Sequence, residues 1–460
     1  MKEKGVKISK GGKPGIGYRL FRMYVRIMHN CHYYRKAVYL GRENIPQDCP
    51  LLIVSDHQNS LNDALAMFFA INSRKERKWR AITRADAFEI PYLGMIMYWL
   101  GLLPAFRLSY GIENLSKNAH AFDEAADELI VNGTVIIYPE AGHQNKRWLG
   151  KFTSGYLKLI FKAIEKSEFK QEMFILPSCN HYSDYFDEQE DVLIKFGKPI
   201  AVSPYYEQYQ LKPRTTIKEL NTVVRKAISD MMLDITDLDN YDAIDFLRNT
   251  YGIKYAEKHG FNPDSIADKL EADRLLVRNL ELAKATNEPA IAEVYNQTRI
   301  LIEKLKEMQI DDRFFDMKIN AVGLKSKILL FILIFPFYLT AYLANIIVFL
   351  PPKLINNKIS DIMLHGSFKI AVPVLAGIPL TNIIIMILGL AVFGSVVATL
   401  IGMVCLPFLY VFAILYSKKW KNYLRQARYV KLLKQNKLNE TGSLRNKIHK
   451  TLDDLLQNCE

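Results

Sequence analysis

Short apolar runs alternate with helix-period patterns through residues 38–238 of this chain. Leu51–Val54, Arg80–Thr83, Val135–Tyr138, Phe174–Leu176 and Val192–Phe196 read as strands, and residues 61–72, 114–132, 153–167 and 215–233 as helices. This alternation predicts an α/β domain with a largely parallel sheet, where chemistry gathers at the ends of strands that run into helices. Residues 239–327 are charged and helical in period, and read as a helical linker domain. Beyond them the pattern changes. Ile328–Leu350 carries no charge and ends at Pro351–Pro352, and no charged residue stands between Lys369 and Lys418. Such lengths predict membrane helices, at about 328–350, 371–391 and 395–416. Three crossings would leave the basic tail, 417–460, opposite the catalytic domain, against the positive-inside tendency. Either one segment is re-entrant or the tail is an exception.

The N-terminal segment, 1–37, adds an amphipathic element. At helical pitch over 16–30, Arg19, Arg22 and Arg26 share one face, while Leu20, Phe21, Tyr24, Val25, Ile27 and Met28 cover the other. A helix in a membrane interface and a surface helix of the catalytic domain both show this pattern. Charge bears on the choice. The formal net charge is +13, with eleven Lys or Arg against one acid in 1–42, and eleven against four in 417–460. Positive ends that border apolar sequence favour anionic lipid over nucleic acid. The five cysteines, Cys31, Cys49, Cys179, Cys405 and Cys459, are scattered and form no C-x-x-C. They argue for a reducing compartment and against a cysteine-bound metal. The basic start lacks the apolar stretch of a cleavable signal.

Candidate chemistry lies in four segments. In Ser55-Asp56-His57-Gln58-Asn59-Ser60-Leu61-Asn62-Asp63, a buried strand delivers His57 into a polar turn and Asp63 to the first turn of a helix. A histidine in reach of an alcohol can take its proton, and a carboxylate on the other ring nitrogen fixes the tautomer. A helix cap beside a surface histidine has the same spacing. Gly101-Leu102-Leu103-Pro104-Ala105-Phe106-Arg107 ends in a guanidinium suited to a phosphate. Ile137-Tyr138-Pro139-Glu140-Ala141-Gly142-His143 ends a strand in an acid and small residues, and Lys146, Arg147 and Lys151 follow. Ile175-Leu176-Pro177-Ser178 is a strand that runs into proline. Each segment alone also reads as ordinary structure.

In this order the four segments resemble the motifs of the phospholipid/glycerol acyltransferase family. Gly41-Arg42-Glu43-Asn44-Ile45-Pro46 is also similar to a segment seen in members. The usual spacing puts the aspartate five residues after the histidine, where this chain has Asn62. His57, Asn59 and Asp63 instead fit the His-x-Asn-x-x-x-Asp form of a subfamily acting on glycerol 3-phosphate and dihydroxyacetone phosphate, whose members also carry C-terminal membrane segments. The third motif departs too, with Ala-Gly-His after Pro-Glu.

The resemblance implies a glycerolipid-acyltransferase-like α/β domain, a helical insert and C-terminal transmembrane helices. It makes His57 the general base and Asp63 its orienter. Arg107 would hold the acceptor phosphate, with Asn59, Glu140, Gly142 and Lys151 at the substrate. Backbone N–H groups at the start of the helix after His57 would assist the thioester oxyanion. The implied donor is acyl-CoA or acyl carrier protein, with no other cofactor and no metal. The implied acceptor is glycerol 3-phosphate or 1-acylglycerol 3-phosphate, from a multi-pass membrane protein whose catalytic domain faces the cytoplasm. Another hydroxylated lipid acceptor and an inactive membrane scaffold are the alternatives. A hydrolase fits less well, because no Gly-x-Ser-x-Gly elbow is present.

Overall fold

The computed structural model describes residues 13–457, apart from 72–77, 90–92, 106–117, 141 and 143–145. The chain forms two compact units. The first comprises 1–31, 36–185 and 191–232, and the second 32–35, 186–190 and 233–460.

The first unit is built on a mixed sheet. Its strands are β1 (Lys36–Leu40), β2 (Leu51–Ser55), β3 (Arg80–Arg84), β4 (Leu102–Ala105), β5 (Thr134–Ile137), β6 (Phe174–Tyr182), β7 (Asp191–Phe196) and β8 (Ile200–Ala201). The spatial order is β1-β7-β6-β2-β5-β3-β4, and β8 also pairs with β6. β2 lies between β5 and β6 and runs parallel to both, with Leu52 opposite Val135 and Ile175. β6 is antiparallel to β7 and β8. Every residue of β2 is buried. Continuous Leu-Leu-Ile-Val is the sequence of a strand covered on both faces, since alternation would leave one face wet.

One face of the sheet is covered by α4 (Asn118–Ile130), α5 (Gly155–Lys166) and α7 (Pro213–Ser229), which follows the short α6 (Tyr206–Leu211). Leu52, Val54, Val135, Ile137 and Ile175 share a core with Ala125, Leu129, Leu157, Ile160, Leu220 and Val224. α2 (Leu61–Ala70) buries Ala66, Met67 and Phe69. α3 (Leu93–Leu100) leads to Gly101, whose φ of +98° favours glycine, and a Cβ there would stand 2.4 Å from the Trp79 carbonyl oxygen.

α1 (Ile16–Ile27) buries Tyr18 and Val25. Arg22 falls between them at helical pitch and so faces the protein, donating to the Phe68 carbonyl at 3.3 Å with its guanidinium 4.7 Å from the Phe68 ring. The expected three-arginine face is therefore divided. Ile16, Leu20, Met23 and Ile27 form the outward stripe, with Arg19 and Arg26 also exposed.

The second unit is helical. Helices α8 (Tyr241–Asn249), α9 (Tyr251–Lys258), α10 (Ile266–Thr286) and α11 (Glu288–Met308) bury a core that includes Leu247, Tyr255, Leu276, Leu280, Val294 and Leu301. α12 (Ala321–Ala344) and α13 (Ile346–Asn356) follow, so the uncharged stretch from Ile328 to Leu350 is divided at Asn345. α14 (Met363–Val372) continues through a π-helical turn, Pro373–Gly377, into α15 (Ile378–Phe393). α16 (Val396–Lys434) and α17 (Asn439–Leu456) complete the unit. Ala321–Ala344, Leu364–Val392 and Val396–Lys434 are long and apolar enough to cross a membrane.

Candidate active site

β2 and β5 run parallel, so the residues that follow them emerge at the same end of the sheet. His57 follows β2, and Tyr138, Pro139 and Glu140 follow β5. The turn after β2 is sharp: Ser60 takes a positive φ of 48°, and α2 begins one residue later. That reversal brings Asp63 back to His57.

His57 Nδ1 lies 2.8 Å from Asp63 Oδ2. Against a carboxylate, Nδ1 carries the proton and Nε2 carries the lone pair. The same Oδ2 accepts the Asn59 N–H at 2.7 Å, and Oδ1 accepts the Tyr182 hydroxyl at 2.6 Å. Asp63 is fully buried, so these three donors stabilise a charge that water does not reach. The His57 ring stacks on Tyr138, with centroids 4.5 Å apart.

Glu140 holds backbone on both oxygens, taking the His57 N–H at 2.7 Å and the Gly150 N–H at 2.8 Å. It braces the turn that carries the histidine. Burial pushes its carboxyl above the ordinary range, against the pull of those two N–H groups. Since the His57 and Asn59 N–H groups are committed to carboxylates, the oxyanion role expected at this turn does not fall to them.

Asp56 is fully buried and accepts the Asn180 N–H at 2.8 Å. Its other oxygen has no partner among the described residues. Burial raises its carboxyl well above 3.8, and the charges of Asp63 and Glu140 add to the effect. Asp56 therefore holds a proton more readily than an ordinary carboxyl does.

The Asn59 side chain points into the protein and donates to the Tyr185 carbonyl at 3.1 Å. Gly142 has open space where a side chain would project, and Lys151 is exposed. Arg107 and His143 lie outside the described residues. Tyr182, Tyr138 and Asn180 were not anticipated as site residues. Arg147, noted only as added charge, is buried and donates to the Tyr182 carbonyl at 2.9 Å. Tyr182 reaches Asp63 from 119 positions away, and no local pattern announces such a partner.

A strand-end histidine held by a buried aspartate, at the end of a mostly parallel sheet, is an arrangement able to act as a general base. Residues 36–180 match the Acyltransferase family model. No curated protein matches the sequence significantly. Among solved structures, the chain is similar to the 1-acyl-sn-glycerophosphate (LPA) acyltransferase, PlsC, of Thermotoga maritima. The identity is 18% over 46% of this chain and 78% of that one, with a TM-score of 0.33.

Proposed function

We propose that the protein is a membrane-bound O-acyltransferase that moves a fatty acyl group from acyl-CoA or acyl carrier protein to a hydroxyl of glycerol 3-phosphate or 1-acylglycerol 3-phosphate. The observation that carries the chemistry is the 2.8 Å contact between His57 Nδ1 and Asp63. Nε2 accepts the acceptor's hydroxyl proton as the oxygen attacks the thioester carbon. The tetrahedral intermediate collapses with loss of the C–S bond, and the imidazolium returns its proton to the leaving thiolate. The products are an ester and a free thiol, and no acyl-enzyme is needed because the thioester is already activated. Asp63 stabilises the transient imidazolium, and Glu140 sets the position of His57 through its backbone.

The acceptor assignment rests on the motif resemblance. In it Arg107 binds the acceptor phosphate, with Gly142 and Lys151 bordering the same substrate. The membrane reading is supported by the three long apolar helices and by the outward stripe on α1, where Ile16, Leu20, Met23 and Ile27 flank exposed arginines. The catalytic unit is assigned to the cytoplasmic face.

Purified protein supplied with labelled acyl-CoA or acyl carrier protein and a panel of acceptors tests the reading. Acylation of glycerol 3-phosphate or its 1-acyl ester, but not of phosphate-free lipids, is expected. Equal or preferred use of a phosphate-free hydroxylated lipid would move the function to that class. No transfer to any acceptor would favour a scaffold.

A further inference from the structure

The helices of the second unit leave different marks at their two ends. Lys369 and Lys418 border the uncharged stretch between them, and both are held by one loop, Phe186–Glu190. Lys369 Nζ donates to the Phe186 carbonyl at 2.6 Å, and Lys418 Nζ donates to the Glu188 carbonyl at 2.8 Å and pairs with Glu190. The two lysines are therefore level with each other. From there α14–α15 runs away from the loop and α16 returns, with Gly394 at the reversal in the left-handed conformation. Near that reversal the helices nearly touch: a Cβ on Gly389 would stand 2.5 Å from Thr399 Oγ1. From Lys418 to Val396 is about 33 Å at 1.5 Å per residue, matching a hydrocarbon layer of about 30 Å.

α12 goes less deep. It packs antiparallel to α16: Lys327 bonds Gln426 at 2.9 Å, and the Tyr416 hydroxyl donates to the Phe331 carbonyl at 3.0 Å. It ends at Asn345, whose side chain reaches the Leu406 carbonyl at 3.5 Å. Leu406 is still about 15 Å short of the far end of α16, at 1.5 Å per residue. α13 then heads back. A Cβ on Gly377 would meet the Val348 backbone at 3.2 Å, Phe349 stacks on Tyr410 at 4.5 Å, and Asn356 donates to the His365 carbonyl at 3.2 Å. His365 is one helical turn before Lys369, on the loop side.

We propose that the chain crosses the bilayer twice, through α14–α15 and α16, and that α12–α13 is a re-entrant hairpin which enters and leaves on the same face. Residues 318, 357 and 435 then share one face, and residue 395 lies on the other. The loop that holds both lysines is the connection between β6 and β7 of the acyltransferase unit. With that shared face taken as the cytoplasmic one, as proposed above, the basic tail obeys the positive-inside tendency. Length and hydropathy alone allow three crossings; the depth of Asn345 selects two.

The proposal rests on the membrane-bound reading above. The full-length protein, with its native cysteines replaced, receives one cysteine at a time: Lys318→Cys, Asn357→Cys, Ser395→Cys or Gln435→Cys. Each is exposed to a membrane-impermeant maleimide in sealed vesicles, before and after permeabilisation. The expected result is that 318, 357 and 435 label from one face and 395 from the opposite face. Three crossings would place 357 and 435 opposite 318, with 395 on the same face as 318, and would overturn the proposal. Release of the wild-type protein by alkaline carbonate would instead overturn the membrane reading itself. If the cysteine-free protein fails to fold, epitope tags at the two ends of the wild-type chain serve. Antibody access to both from one face supports the proposal, and access from opposite faces overturns it.

Discussion

Each unit buries charge, but the two do so with opposite balance. In the helical unit, Asp273 is fully buried and meets both Arg248, at 3.1 Å, and Lys269. Arg445, also buried, binds Asp312 at 2.9 Å and pairs with Asp316. Burial alone would lower the Arg445 guanidinium; the two aspartates more than reverse that and hold it above its ordinary value. Burial pushes the Asp312 carboxyl up as well, but Arg445 opposes it there. In the α/β unit, Asp56 and Glu140 are pushed up beside Asp63, with one histidine among three carboxyls. Matched buried charges fix packing, whereas a cluster of like charges around a titratable ring costs stability and can be used to move a proton. On the function proposed above, the difference separates a structural network from a working one.

Substitutions can break that contrast. The largest effect is expected from His57→Ala, which should lower turnover by about 10²–10⁴-fold at a smaller cost in stability than Arg445→Ala, since Asp63 keeps two of its three donors. Acyl transfer and a melting curve on the same preparation check it. The reverse pattern is expected from Arg445→Ala. It strands Asp312 and should cost about 3–5 kcal/mol of stability, measured by denaturant unfolding, with kcat of the folded fraction retained. If Arg445→Ala abolished catalysis in folded protein, the contrast would fail.

Smaller effects sharpen it. Tyr182→Phe removes one donor from Asp63 and should lower kcat about tenfold, the equivalent of about 1.4 kcal/mol, with little change in KM. Asp56→Asn should alter kcat least, because the asparagine carbonyl can still accept the Asn180 N–H. Its signature is in stability. A group whose folded pKa is raised contributes most below its unfolded value, and that contribution is lost as pH rises through the folded value. The wild-type melting temperature should therefore fall relative to Asp56→Asn as pH climbs above about 4, and the two should converge in acid. Parallel curves at all pH values would contradict the upward shift of the Asp56 carboxyl.

The strands that build the site were legible because they are buried on both faces: Leu51–Val54 and Val135–Ile137 are apolar runs closed by polar turns. The strand at Phe174 runs on through Tyr182, further than its apolar core suggested, because Ser178, Asn180 and His181 are buried in bonded pairs. β4 is hidden in the sequence, since Gly and Pro in Gly101–Pro104 mask a four-residue strand. The His57–Asp63 pair was visible as a polar turn between a buried strand and a helix. The role of Glu140 was not, because sequence does not say whether a carboxylate faces substrate or its own backbone. The Arg22 reversal has the same origin: a helical projection gives the face of a residue but not which face meets the core.

Whether His57 and Asp63 act as one unit is tested most directly by a double-mutant cycle. Single-turnover acyl transfer should be measured for the wild type, His57→Ala, Asp63→Asn and the double variant, each shown to be folded. If Asp63 acts only through the histidine it orients, the double variant should be no slower than His57→Ala alone. Losses that multiply, or full activity in either single variant, would contradict it.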